Sequence, residues 1–372
     1  MSNNSLNRKK NIYLSILTPI FLNSVGGASV YYRSLTKELL DYNYRITVYS
    51  ELCGKSIVSN KVKVRWAFLC RSSLNPKSYK NIALYAIQNI LYFLLIFRID
   101  LKTNILLIHS SFINSPGLFL IFIRLLKFIR PKLHLILDVR DNLMPLHKRK
   151  KLIMFDRIIC CSEQILHDYK SISGIQKKIA HIPILLTDLN HDSTNLLCNK
   201  FQLEDAVNYI FYAGTIKESK NLHILINAFL KFVCPKKPDV MLVLAGELKT
   251  LNKDILYAIK NGSVIYLGPI SNEETRGLIR NSCLCINLSE NEGLPRFSLE
   301  VLTEGVPLLF ASGVLEFDKY CPHFSIQKIT EEGVGNRILA ALNEKRTCSN
   351  YPVQLHNKKN VIEKYISIFN SL

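Results

Sequence analysis

Short runs of apolar residues alternate with longer stretches of helical periodicity along the whole chain, the sequence sign of parallel α/β layers. In the first half the runs predict strands near Ile12–Leu17, Arg45–Tyr49, Lys63–Ala67, Asn104–Ile108, Leu133–Leu137 and Arg157–Cys160. The apolar positions Val30, Tyr31, Leu35 and Leu39 fall on one face of a helix over Ala28–Leu40. Thr187–Ala206, rich in Asn, Asp and Thr, reads as a linker. A second alternation follows it, with strands near Tyr209–Tyr212, Val240–Leu244, Val264–Leu267, Leu284–Leu288 and Pro307–Phe310. Helices are expected near Leu222–Phe232, Asn272–Arg280 and Phe297–Thr303, and a final one near Val361–Phe369. The pattern predicts a domain over residues 1–186, a second over 207–356, and a C-terminal helix in 357–372 placed to cross back to the first. Two such units joined by a linker put a ligand cleft between them.

Two stretches complicate this picture. Ile82–Phe97 is apolar apart from Gln88 and Asn89. As a helix it rises about 24 Å, short of the roughly 30 Å of bilayer hydrocarbon, so it reads as buried or surface-embedded. Leu118–Ile129 carries Arg124 and Lys127 among Leu, Ile and Phe, with Arg130 next. That pattern suits a helix lying on anionic lipid, and equally a core-facing helix with its polar stripe in water.

Charge sharpens the division. The net charge is +19 over 372 residues. Residues 1–185 hold 28 Lys and Arg against 9 Asp and Glu, and the remainder hold 20 of each, so all of the excess lies in the first half. A basic half beside a neutral half implies an anionic partner: nucleic acid, a membrane surface or a phosphorylated substrate. Lys and Arg are not interleaved with aromatics, and no nucleic-acid motif is present, so nucleic acid is not the expected partner. The 10 cysteines show no disulfide or zinc spacing. Cys160–Cys161 and Cys283/Cys285 read as buried strand residues with reduced thiols, which points to the cytosol. The N-terminus is polar and basic, without a signal-peptide core.

Three segments carry candidate chemistry. Gly26 and Gly27, between the first strand and its helix, let the backbone approach an anion beside a helix N-terminus; many Gly-Gly turns only reverse the chain. Gly214, Thr215, Lys217 and Lys220 follow the first strand of the second half. Cations beside a helix N-terminus are unfavourable unless an anion neutralises them, which favours a diphosphate there over solvated lysines. In Glu292-Gly293-Leu294-Pro295-Arg296-Phe297-Ser298-Leu299-Glu300, two carboxylates stand eight positions apart around a Gly-Leu-Pro turn. The turn closes a strand and opens a helix. Both carboxylates then face one cleft, spaced to accept hydrogen bonds from the hydroxyls of a sugar and of a ribose.

The segment EGLPRFSLEVLTEGVPLL resembles the donor-site signature of the retaining glycosyltransferases of family four. GGASVYYRSLTKELLDYNYRITVYS, DRIICCSEQILHDY, HIPILLTDLN, YAGTIKESKNLHILINAF, VLAGE and VIYLGPISNEE resemble further segments of that family in order and spacing, covering roughly residues 10–310. The resemblance implies the α/β fold called GT-B, in which two Rossmann-like domains face across a cleft. It also implies a nucleotide diphosphate sugar as donor substrate, retention at the anomeric carbon, and neither metal nor other cofactor. By resemblance Glu300 holds the ribose hydroxyls, Glu292 the donor sugar and Lys220 the diphosphate, with Gly26 and Gly27 against phosphate or acceptor. Two positions depart from the family pattern. Thr215 stands where an arginine is common, leaving Lys217 as its substitute. Arg140, which stands where a histidine is common, is expected with Gly293, Leu294 and Pro295 to contact substrate, and Asp141 after it to contact acceptor or sugar or merely to cap a helix. The expected acceptor is a lipid-linked glycan of bacterial surface polysaccharide synthesis. The expected location is cytoplasmic, peripheral on the inner face of the cell membrane. A non-catalytic relative of the fold and a sugar-nucleotide epimerase are the alternatives.

Overall fold

The computed structural model describes residues 12–19, 21, 27–51, 62–68, 80–114, 118–140, 150–186, 208–290, 292–344 and 350–372. Strands β1 (Ile12–Leu17), β2 (Tyr44–Glu51), β3 (Val62–Phe68), β4 (Ile105–His109), β5 (His134–Val139), β6 (Arg157–Cys160) and β7 (Ile179–His181) form one sheet in the order β3-β2-β1-β4-β5-β6-β7. Strands β8 (Asn208–Ala213), β9 (Val240–Ala245), β10 (Ile265–Tyr266), β11 (Leu284–Asn287), β12 (Leu308–Ala311) and β13 (Ser325–Ile326) form a second, in the order β10-β9-β8-β11-β12-β13. Every pairing is parallel, for instance Leu14 opposite Ile105 and Tyr212 opposite Leu244. β4 is buried at all of its positions, as a strand covered by helices on both faces must be. In each sheet the order reverses beside the first strand, β1 or β8. The crevice at that switch point opens at the C-terminal strand ends.

Local chemistry sets the helix starts. Ser271 and Glu274 form a capping box on Asn272–Asn281, and Asn252 and Asn357 cap Lys253–Lys260 and Lys358–Asn370, each satisfying orphan N–H groups. The expected helix Leu222–Phe232 is α-helical only over Leu222–Ala228. It continues as a widened π-turn over Phe229–Val233, closed by Cys234 N–H to the Phe229 carbonyl at 2.8 Å. The strands β7 and β13 had no strong apolar run to announce them. The expected linker Thr187–Ala206 lies outside the described residues. Five described cysteines carry free thiols. Cys321 is disulfide-bonded to a partner outside the described residues, a departure from the expectation of reduced thiols throughout.

The helix Lys358–Asn370 packs on the first domain. Tyr365 and Tyr31 join hydroxyls at 2.7 Å, Phe369 stacks edge-on to Tyr44, and Lys358 pairs with Glu38.

The helices Lys80–Arg98 and Phe119–Ile129 also meet, through Tyr92 on Phe119 and Phe93 on Phe122. Phe119, Ile123 and Leu126 are buried, yet the opposite side is apolar too: Ile90, Phe97, Ile121 and Phe128 are 57%, 69%, 59% and 83% exposed. Among the described residues no helix is long and apolar enough to cross a membrane.

Candidate active site

The strand ends of the second sheet form one wall of the site. β8 runs into Gly214, whose N–H donates to the Ala245 carbonyl at 2.9 Å. Gly246 follows β9 at φ +134°, where a Cβ would stand 1.9 Å from the Gly214 carbonyl oxygen. No side chain is tolerated there, because the ends of β8 and β9 pack backbone against backbone. A tight turn over Glu218–Lys220 then presents the lysines. It ends at Asn221, left-handed at φ 54°, whose amide donates to the Leu288 carbonyl at 3.0 Å and to Glu290 Oε2 at 2.9 Å. The lysine loop is thereby fixed to the end of β11, and Lys220 forms an ion pair with Glu292.

The second carboxylate lies deeper. Glu300, in the helix Arg296–Thr303, is 3% exposed. Its Oε1 accepts from Asn272 Nδ2 at 2.7 Å and from Arg296 Nε at 2.8 Å. These two donors satisfy an oxygen that burial takes out of water. Arg296 Nη1 also donates to the Leu185 carbonyl, 3.0 Å away at the end of the first domain.

Together these groups border a cleft of about 510 Å³ between the domains, which Glu292, Glu300, Lys217, Lys220, Gly214, Thr215, Pro295 and Gly27 all line. Asn272, Gly246 and Arg296 line it as well, and sequence reasoning had not singled them out. Gly246 stood inside the matched VLAGE run, and Asn272 directly after a capping serine; only the crossover of strands brings them to Glu300.

Three expected site residues stand elsewhere. A Cβ on Gly293 would approach the Arg140 carbonyl oxygen at 2.9 Å and Ile165 Cδ1 at 2.7 Å, so this glycine is where the two domains touch. Leu294 is buried and borders a small cavity behind the cleft with Glu316, Tyr351 and His356. Arg140 is turned away into the first domain. Its Nε lies 2.8 Å from Asp138 Oδ1, its guanidinium sits 3.7 Å over the Tyr31 ring, and Nη2 donates to the Tyr365 hydroxyl at 2.6 Å. Tyr32 donates to Asp138 Oδ2 at 2.7 Å. Burial holds the Tyr31, Tyr32 and Tyr365 phenols above their ordinary range, so they stay neutral. Gly26 and Asp141 lie outside the described residues.

Two parallel α/β domains facing across such a cleft define the GT-B fold. Anabaena HepE in complex with UDP and glucose matches with a TM-score of 0.73 at 17% identity, over 97% of this chain and 100% of that one. Sucrose-phosphate synthase from Thermosynechococcus elongatus matches at 0.72 and 14%, over 97% and 99%. The UDP-forming α,α-trehalose-phosphate synthase of Burkholderia xenovorans, solved with glucose-6-phosphate, matches at 0.69 and 11%, over 96% and 99%. Residues 196–323, the larger part of the second domain, match the family described as glycosyl transferases group 1. No curated protein sequence matches the chain.

Proposed function

We propose that the chain is a glycosyltransferase that moves a sugar from a nucleotide diphosphate sugar to an acceptor hydroxyl with retention and without a metal. One observation carries the reading: Glu292, Glu300, Lys217 and Lys220 converge on the interdomain cleft, beside the N-terminus of Arg296–Thr303. Glu300 is suited to the ribose hydroxyls and Glu292 to the sugar. The acceptor oxygen bonds to the anomeric carbon as the bond to the diphosphate breaks. The electron pair leaves with the diphosphate oxygen, which also takes up the acceptor's proton. Lys220, Lys217 and the helix N–H groups stabilise the charge that develops there.

The acceptor we assign is a lipid-linked glycan, used at the inner face of a bacterial cell membrane in surface polysaccharide synthesis. The exposed face of Ile90, Phe97, Ile121 and Phe128 supports this, since it lies in the half that holds all the excess positive charge. Two of the three cations flanking it have structural work. Lys127 pairs with Asp156 at 2.9 Å, and Arg130 Nη2 donates to the Asp100, Leu101 and Thr103 carbonyls. The apolar tips are therefore the sharper test. Phe97→Ser with Phe128→Ser should abolish co-flotation with anionic vesicles; wild-type protein that never floats with them rules out the membrane reading.

The donor site is tested by thermal shift against UDP, GDP, ADP, CMP and their sugars, with Glu300→Ala alongside. UDP comes first, because HepE was solved with UDP and with UDP-glucose. A diphosphate at 100 times its dissociation constant stabilises by about 2.7 kcal/mol. A shift with one base, lost in Glu300→Ala, is expected. No shift with any of them in a folded sample favours a non-catalytic relative, and conversion of the donor without acceptor indicates an epimerase.

A further inference from the structure

Arg296 has more donors than the fold uses. Its Nε serves Glu300 and its Nη1 the Leu185 carbonyl. Its Nη2 is buried without a hydrogen-bond partner among the described residues, on a side chain only 10% exposed that lines the cleft. An arginine needed only to tie Glu300 to Leu185 would have its last amino group in water or on a carbonyl.

The surroundings make this costlier. Arg296 is the first residue of its helix, at the positive end of the helix dipole, where a cation is disfavoured. The N-terminus of Gly27–Leu40 faces it from the other domain: a Cβ on Gly27 would lie 4.0 Å from the Arg296 Cβ. Arg33, on that same helix, bonds the Phe21 carbonyl at 2.8 Å. Its pKa is lowered by burial and then by the charge of Arg296. Two helix N-termini and the Arg296 guanidinium thus meet at one seam. Glu300 offsets part of that charge, while Glu292 is engaged with Lys220. An anion in the seam removes the conflict.

We propose that Arg296 binds the diphosphate of the donor through Nη2. This rests on the donor reading above and gives the missing cation at Thr215 a different replacement from Lys217. The guanidinium reaches the diphosphate from the carboxylate side of the cleft. One residue then bridges Glu300, the end of the first domain and the leaving group, so it binds fully only when the domains are together.

Isothermal titration of the full chain tests this. UDP, GDP and ADP are titrated into wild type, and the one that binds is compared with its own nucleoside and with inorganic pyrophosphate in Arg296→Gln, Arg296→Lys and Arg33→Gln. Arg296→Gln should weaken the diphosphate 10- to 100-fold, and its nucleoside, which feels Arg296 only through Glu300, no more than about threefold. Arg33→Gln, at a residue that does not line the cleft, is the control and should leave diphosphate affinity within about twofold. Circular dichroism checks the fold. Should the Gln variant not fold, Arg296→Lys carries the test, with an expected five- to tenfold loss on diphosphate and pyrophosphate alone. Unchanged diphosphate affinity in a folded Arg296 variant overturns the proposal. So does an equal loss of nucleoside and diphosphate, which marks a purely structural pin. Wild type that binds none of the three diphosphates overturns the donor reading and this inference with it. Intact donor binding with loss confined to a phosphate-bearing acceptor would show that the anion belongs to the acceptor.

Discussion

The two domains share a strand order, but they treat charge at the cleft in opposite ways. At the first domain's strand ends, Arg140, Asp138, Tyr31, Tyr32 and Tyr365 close on one another inside the protein. At the second domain's strand ends, Lys217, Lys220, Glu292 and Arg296 border open space. The first edge closes on itself and the second stays open to the cleft. A buried ionic network adds little stability over an apolar one, but removing one partner strands the other. Groups facing a cleft trade solvent for ligand, so losing one of them mainly costs binding.

This contrast can be tested in order of expected size. Asp138→Ala leaves the Arg140 guanidinium buried without its counter-charge and should cost about 3–5 kcal/mol in urea unfolding. An equal cost from Lys220→Met would erase the distinction between the edges; that variant is expected to unfold within about 1 kcal/mol of wild type.

Next comes acidity at the join between the domains. His356, with Nδ1 3.0 Å from the Ile184 carbonyl, is pushed down to about 4, chiefly by burial. Unfolded, it titrates near 6.5. Above that pH both states are neutral and the group is silent. Between about 6.5 and 4 only the unfolded state takes the proton, so stability falls as pH falls, by about 3 kcal/mol in all. Burial raises Glu316 nearby, which contributes with the opposite sign. The difference between wild type and His356→Asn across melting curves from pH 7 to 4 isolates the histidine. Parallel curves would show that it titrates alike in both states.

Gly293→Ala comes third. Its methyl group must displace the Arg140 backbone carbonyl, which cannot swing aside as Ile165 can, and about 1–3 kcal/mol is expected together with lower transfer activity. Smallest of all, Phe97→Ser with Phe128→Ser should leave the unfolding midpoint within about 0.5 kcal/mol of wild type, whatever it does to vesicle binding. A large loss would mean that more than the edge contact of Phe97 with Phe93 is at stake.

Legibility followed the same divide. β1 and β6 fell on their expected residues because short, mostly apolar runs between turns leave little choice of register. In the second domain Glu292, Glu300 and the two lysines were readable, since a strand–turn–helix segment puts its chemistry within nine positions. The first domain's edge was not. Arg140 meets Tyr365 225 positions later, and no local pattern says that a C-terminal helix will bring a phenol to it. Arg296 lay within the segment that drew attention and was still passed over. The direction of its third nitrogen depends on Leu185, in another domain.

The polypeptide leaves the first domain after Leu186 and comes back before Lys358. These two passages lie side by side: Leu186 N–H donates to the His356 carbonyl at 3.0 Å, next to the contact between His356 and Ile184. One tether would let the domains swivel in any direction. Two tethers bonded together act as the knuckles of a door hinge, leaving one easy rotation about a line through them. Leu185 belongs to that line and holds Arg296, so the guanidinium, with Gly27 beside it, sits near the pivot, while the lysine loop lies farther out on its leaf.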